Sequence, residues 1–237
     1  MHRLTVTPAI RTPVALVVPV WRTLPWRALG VAGAVGLLPA ALTRLPGPPP
    51  GPLESVTLLR AAVLAFSLGL AFLLDDPARH TTAPVPVRRP VRTALRAALV
   101  TPVAALWWTA VLLLVPGPAR PPAGDITLEA GTAFLLAAAG ATAAVRHTDT
   151  PEPGRAVAVA LLTAAVVAPL LLPARWALFV TPADPRWAAG HERWAWVLAA
   201  AAVAGAVSLR EPRSRRPVLG SASLRSPCGT SGPSRRW

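Results

Sequence analysis

Apolar residues fall into six runs along the chain, at about 28–42, 56–74, 97–115, 126–145, 156–172 and 194–209. The segments between them are rich in Pro, Gly and Arg. Within each run the hydrophobicity lies all round the helical projection rather than on one stripe. That pattern belongs to lipid-embedded helices, not to amphipathic surface ones. A bilayer core about 30 Å thick needs roughly 20 apolar residues. The third and fourth runs reach that length outright. The first and sixth must borrow flanking residues, the second must include Arg60, and the fifth is expected to extend past Pro173. The pattern therefore predicts an all-α integral membrane protein with a bundle of about six transmembrane helices. The expected spans are 28–45, 56–74, 97–115, 126–145, 156–174 and 192–209. They form a domain over 28–209, between an N-terminal cytoplasmic or interfacial segment, 1–27, and an Arg-rich tail, 210–237.

Composition strengthens this reading. Hydrophobic residues make up 53% of the chain and charged residues 14%, with mean hydropathy +0.49. A soluble domain carries about 25% charge to keep its surface wet. All 24 basic residues are arginine. With the N-terminus inside, 18 of them fall in cytoplasmic segments and five in external ones, and Arg60 lies within a span. The positive-inside rule then predicts that both termini are cytoplasmic, in a plasma-membrane protein. Trp26, Trp176, Trp187 and Trp194 fall at expected span ends, where an amphipathic ring favours the interface. Trp107 and Trp108 sit mid-span and either pack between helices or line a pocket. An apolar stretch at 13–20 is too short and proline-rich for a signal peptide and reads as interfacial or disordered. The tail has too little apolar content to bury a core and is expected to be disordered. A net charge of +14 would suit nucleic acid only if the arginines shared one face with free aromatics. They are instead spread between apolar runs, so nucleic acid is not an expected partner.

Few residues could carry chemistry. The chain has no Tyr, and its one Cys, Cys228, lies in the tail. No GxxxxGK[ST] phosphate loop, HExxH zinc motif or GxSxG elbow occurs. The histidines are scattered and read as loop residues. The expectation is a non-enzymatic protein without cofactor or metal. Two ionisable residues, Arg60 and Glu129, lie inside runs, where charge is expensive and marks function by default. At similar depth they could pair across helices; the alternative is that each snorkels to the headgroups. Small residues are dense in the fourth and sixth runs, which favours close helix approach. Pro39, Pro102 and Pro169 are expected to kink or break their helices.

The second run ends in Asp75-Asp76-Pro77, followed by a loop holding Arg79, Arg88, Arg89 and Arg92. Asp is a preferred N-cap and Pro a preferred first helical residue, so Asp76-Pro77 could open a short membrane-surface helix. Two readings stand for this loop. The aspartates either end the span and pair with nearby arginines, or form part of a docking surface with Asp75, Asp76, Arg79, Arg88, Arg89 and Arg92. The six short runs, "FLLDDPA" at 72–78, the Arg-rich second loop and "SLREP" at 208–212 together resemble small six-span actinobacterial membrane proteins described as permease-like subunits of ABC transporters. The resemblance implies a membrane-spanning subunit on whose cytoplasmic loops a separate nucleotide-binding ATPase docks. Homo- or hetero-oligomers are compatible with it. The alternative is a structural or regulatory membrane scaffold that transports nothing.

Overall fold

The computed structural model describes residues 11–48, 50–75, 89–148 and 152–209. Among these residues there are seven α-helices and no strands: α1 (Arg11–Arg22), α2 (Trp26–Leu42), α3 (Pro52–Ala71), α4 (Arg89–Leu114), α5 (Ala123–His147), α6 (Gly154–Leu171) and α7 (Trp187–Leu209). A 3-10 turn, Phe72–Leu74, continues α3. Five helices, α3 to α7, are long and apolar enough to cross a membrane. The first expected span corresponds to α2, whose 17 residues rise only about 25 Å at 1.5 Å per residue. The segment at 13–20 lies within α1, and residues 1–10, the tail and the Asp76-Pro77 start lie outside the described residues.

Helix ends differ from the sequence expectation for local reasons. α3 begins four residues early because Pro52 is pre-set for a first helical position, while Glu54 Oε2 accepts a hydrogen bond from Gly51 N at 3.1 Å. α6 does not run past Pro173. It stops at Leu171, with Leu172 extended (φ −73°, ψ 126°), the conformation that a following proline imposes. Pro39, Pro102 and Pro169 do not break their helices, which continue through all three. α7 starts five residues early, at Trp187, and so takes in His191.

Interhelix bonds fix the alternation of direction. Arg44, just past α2, donates from Nε to Leu114 O (2.6 Å) and from Nη2 to Leu113 O (2.8 Å), so α2 and α4 end together. Arg146 Nη1 donates to Val207 O at 2.6 Å, so α5 and α7 end together at the opposite side. At that side Asp75 Oδ1 accepts from Gly154 N at 2.8 Å, joining the end of α3 to the start of α6. Hence α3, α5 and α7 run one way and α2, α4 and α6 the other.

The core lies where α2, α3, α4 and α5 meet. Phe66 stacks on Trp107 (centroids 4.2 Å apart, 11° between planes) and meets Phe134 edge-on at 5.3 Å. Trp107 Nε1 donates to Gly33 O at 3.0 Å, and Trp108 Nε1 donates to Thr127 Oγ1 at 3.1 Å. Both mid-span tryptophans therefore pack between helices with their polar atoms satisfied, as buried indoles require. Glycines allow the close approach of α2 and α3: a Cβ on Gly36 would stand 2.7 Å from Trp107 and 2.9 Å from Ala62 O, and one on Gly69 would meet Ala32 Cβ. By contrast, α6 and α7 expose much of their apolar surface, with Leu170 and Leu171 each 75% exposed and Trp196 72%, consistent with contact with lipid.

Candidate functional site

Three helices that start on the same side each contribute an ionisable residue from their first three turns: Arg60 on α3, Glu129 on α5 and His191 on α7. Because these helices run parallel, the three side chains converge. Arg60 Nε donates to Glu129 Oε2 at 2.7 Å and Arg60 Nη2 donates to Oε1 at 2.6 Å, a bidentate pair. Glu129 is 3% exposed and His191 5%. His191 Nε2 stands 3.1 Å from Glu129 Oε1, off the line of a hydrogen bond and with no other partner. Its Nδ1 lies 2.9 Å from Trp187 O. A buried carboxylate in an apolar bundle is tolerable only when paired and hydrogen-bonded, and the Arg60 fork supplies both.

The segment from Ala177 to Val180, between α6 and α7, is non-helical and lies against this cluster. Its carbonyls have no ladder to join, so long side chains serve them. Arg60 Nη2 donates to Val180 O (3.0 Å), Arg193 Nη1 to Ala177 O (2.8 Å) and Trp194 Nε1 to Leu178 O (3.0 Å). Phe179 receives the Arg60 guanidinium over its ring at 5.4 Å and meets Trp194 edge-on at 5.5 Å. Val180 fills the space a Cβ on Gly190 would need, at 2.7 Å. On the same side Trp187 Nε1 donates to Asp125 Oδ2 at 2.6 Å, and in the loop Arg186 grips Asp184 at 2.8 Å. The Arg186 hydrogen bonds hold the half-buried Asp184 carboxyl below its ordinary range.

Behind this segment is a cavity of about 500 Å³ between α3, α5, α6 and α7. Leu64, Leu136, Leu161, Ala165 and Val197 are typical of its walls, and Arg60 and Glu129 line it together with Phe179 and Trp194. The result is an apolar chamber with a charged pair in its lining, the usual form of a small-molecule pocket.

Of the residues singled out in the sequence, the structure brings Arg60 and Glu129 together. Asp75 is half-buried and turned inward onto the first turn of α6. Burial raises its pKa above the ordinary carboxylate range; the Gly154 bond opposes the shift and Glu152 adds to it. Arg89 opens α4 and Arg92 lies in its first turn, while Asp76, Arg79 and Arg88 lie outside the described residues. Sequence reasoning missed His191, taken for a loop residue. Positions 187, 191 and 194 fall at i, i+4 and i+7, a helical face that could have revealed it. Among the described residues no group of three or more His, Cys, Asp or Glu could hold a metal ion. Comparison with protein-family models, with curated proteins and with solved structures gave no match for this chain.

Proposed function

We propose that this chain is the membrane-spanning, permease-like subunit of an ABC-type transporter, non-enzymatic itself and acting with a separate nucleotide-binding ATPase. The observation that carries the reading is the half-open, apolar cavity of about 500 Å³ among helices fit to cross a membrane. Its apolar walls suit a lipid-soluble ligand, and the Arg60–Glu129 pair offers one polar group a place to orient. The ATPase partner is supported by the resemblance carried by "FLLDDPA", the Arg-rich loop and "SLREP". The distribution of arginines supports a plasma-membrane subunit with both termini cytoplasmic. In that topology α2, prolonged by the turn to Leu45, serves as the sixth span in a locally thinned bilayer.

The test uses the tagged full chain purified from its native membrane. A nucleotide-binding ATPase is expected to come down with it, and inverted vesicles are expected to take up a lipophilic dye when given ATP. Ala133→Trp, which fills the cavity, should cut uptake by about tenfold or more while the ATPase remains bound. If no ATPase is retained, the transporter reading fails. If other partners are retained and Ala133→Trp changes nothing, the scaffold reading replaces it.

A further inference from the structure

The cavity between α3, α5, α6 and α7 is open on one side. Thr57 and Ala61 on α3, and Ala164 and Pro169 on α6, line it and are exposed. α3 and α6 are pinned together at one end, where Asp75 Oδ1 accepts from Gly154 N. The wall residues lie away from that pin, from Thr57 to Ser67 on α3 and from Leu161 to Pro169 on α6. The mouth therefore lies between two helices apolar enough to cross a membrane, and it faces hydrocarbon rather than water.

The polar side chains of the wall leave one need unmet. Thr57 Oγ1 donates to Leu53 O at 2.8 Å, Ser67 Oγ to Val63 O at 2.7 Å and Trp194 Nε1 to Leu178 O at 3.0 Å. Both Glu129 oxygens accept from Arg60. Arg60 spends Nε and Nη2 on Glu129 and Val180 O, and its Nη1 has no hydrogen-bond partner among the described residues. The Arg60 side chain keeps 18% of its surface exposed and lines the cavity. Donors left unserved in an apolar wall are costly, so the site calls for a ligand that accepts.

Depth decides what that ligand carries. Arg60 stands about 12 Å along α3 from Pro52, at 1.5 Å per residue. In a hydrocarbon core about 30 Å thick, that is far below the headgroups. A charged or zwitterionic headgroup would have to be carried to that depth at high cost, and an anion would also meet Glu129. A neutral carbonyl meets neither obstacle.

We propose that the cavity binds a neutral lipid, a long apolar chain whose polar group is an uncharged carbonyl, entering sideways from the bilayer between α3 and α6. The carbonyl accepts from Arg60 Nη1, and the chain lies along Leu64, Leu136, Leu161 and Val197. Binding makes and breaks no covalent bond. The inference rests on the reading of the cavity as a ligand site, but it needs neither ATP nor a partner subunit.

The full chain in phosphatidylcholine vesicles without nucleotide provides the test. Three probes carry a photoactivatable diazirine at mid-chain: a fatty acid methyl ester, a hydrocarbon of the same length and a phosphatidylcholine. Peptide mass spectrometry locates the labels. The ester should mark the walls, at Leu136, Leu161 or Val197, about fivefold more than the hydrocarbon does, the worth of one hydrogen bond. The phosphatidylcholine should mark only outward positions such as Leu170 and Trp196. In the double variant Arg60→Met with Glu129→Leu, ester and hydrocarbon should mark the walls equally. Ala133→Trp and, from the opposite wall, Leu161→Trp should each cut wall labelling about tenfold. Unchanged labelling of Leu170 and Trp196 shows that these variants fold. Unlabelled diacylglycerol and an isoprenoid quinone then compete with the ester, and displacement by either supports the carbonyl site and names its source. Ester labels confined to outward positions, wall labelling by the phosphatidylcholine, equal labelling by ester and hydrocarbon in the parent, or displacement by neither competitor overturns the proposal. Absence of an ATPase on co-purification leaves all of these results untouched, so the two readings fail separately.

Discussion

At the scale of single residues, Asp75 shows how position changes what an acid does. Its carboxylate accepts from the first amide of α6, one of the donors a helix start leaves orphaned, and its negative charge suits that end of the helix dipole. Half-burial still outweighs the bond, so its folded pKa is raised. A carboxyl with a raised folded pKa contributes most below its unfolded pKa, and that contribution is lost as pH rises through the folded one. Asp75→Asn keeps an acceptor for Gly154 N and removes the buried charge. It should therefore match or exceed the parent in thermal unfolding at neutral pH, and the advantage should vanish in acid. Asp75→Ala should lose about 1 kcal/mol as a lost cap. Gly154→Ala should lose about 1–3 kcal/mol as overpacking, because its Cβ would meet the Asp75 oxygens and Phe72 at 2.8 Å. If instead Asn and Ala at Asp75 weaken folding equally, the acceptor is not what matters there.

Among elements, the tightest helix contact is not where small residues are densest. Counting alanines and glycines drew attention to α5 and α7, and these do pack on each other, with Gly205 3.5 Å from Ala139 as judged by an added Cβ. Yet Gly131 on α5 faces open space, whereas Gly36 and Gly69 leave no room for a Cβ between α2 and α3. Composition tells how many small residues a helix has, but the partner's surface decides which of them are needed. For the same reason six apolar helices were legible from run lengths, whereas their ends were set by single residues such as Pro52 and Pro173. Trp107 marks the consequence: its ring lies against Gly33 and Gly36 because those positions have no side chain. Gly36→Leu should cost about 1–3 kcal/mol by displacing Trp107, seen as a lower midpoint of thermal unfolding in detergent. Gly131→Leu, into open space, should leave that midpoint within about 0.5 kcal/mol of the parent, and equal losses would refute this assignment of the interface.

For the whole molecule, the question is why an apolar bundle keeps a buried ion pair. Arg60 and Glu129 were legible as two charges at similar depth, because both interrupt apolar runs. Their third neighbour was not, because His191 stood outside the expected span and it meets the pair only when three parallel helices bring their second and third turns together. Desolvating two charges consumes much of their attraction, so a buried pair is weak grounds for stability, and an apolar replacement of similar volume is often neutral or better. The pair here does more than hold helices: through Arg60 it also fixes Val180 O, and through Glu129 it faces His191. The double substitution Arg60→Met with Glu129→Leu should therefore unfold within about 1 kcal/mol of the parent, or above it, while each single substitution loses about 3–5 kcal/mol by leaving a buried charge alone. Alkylation of a cysteine at Leu178 should nonetheless become faster in the double variant, because Arg60 no longer holds Val180 O. If the double variant were as unstable as the singles, the pair would be a structural tie of the bundle. If it were stable with the alkylation rate unchanged, the Ala177–Val180 segment would be held by Arg193 and Trp194 alone, and the charges would not be what fixes it.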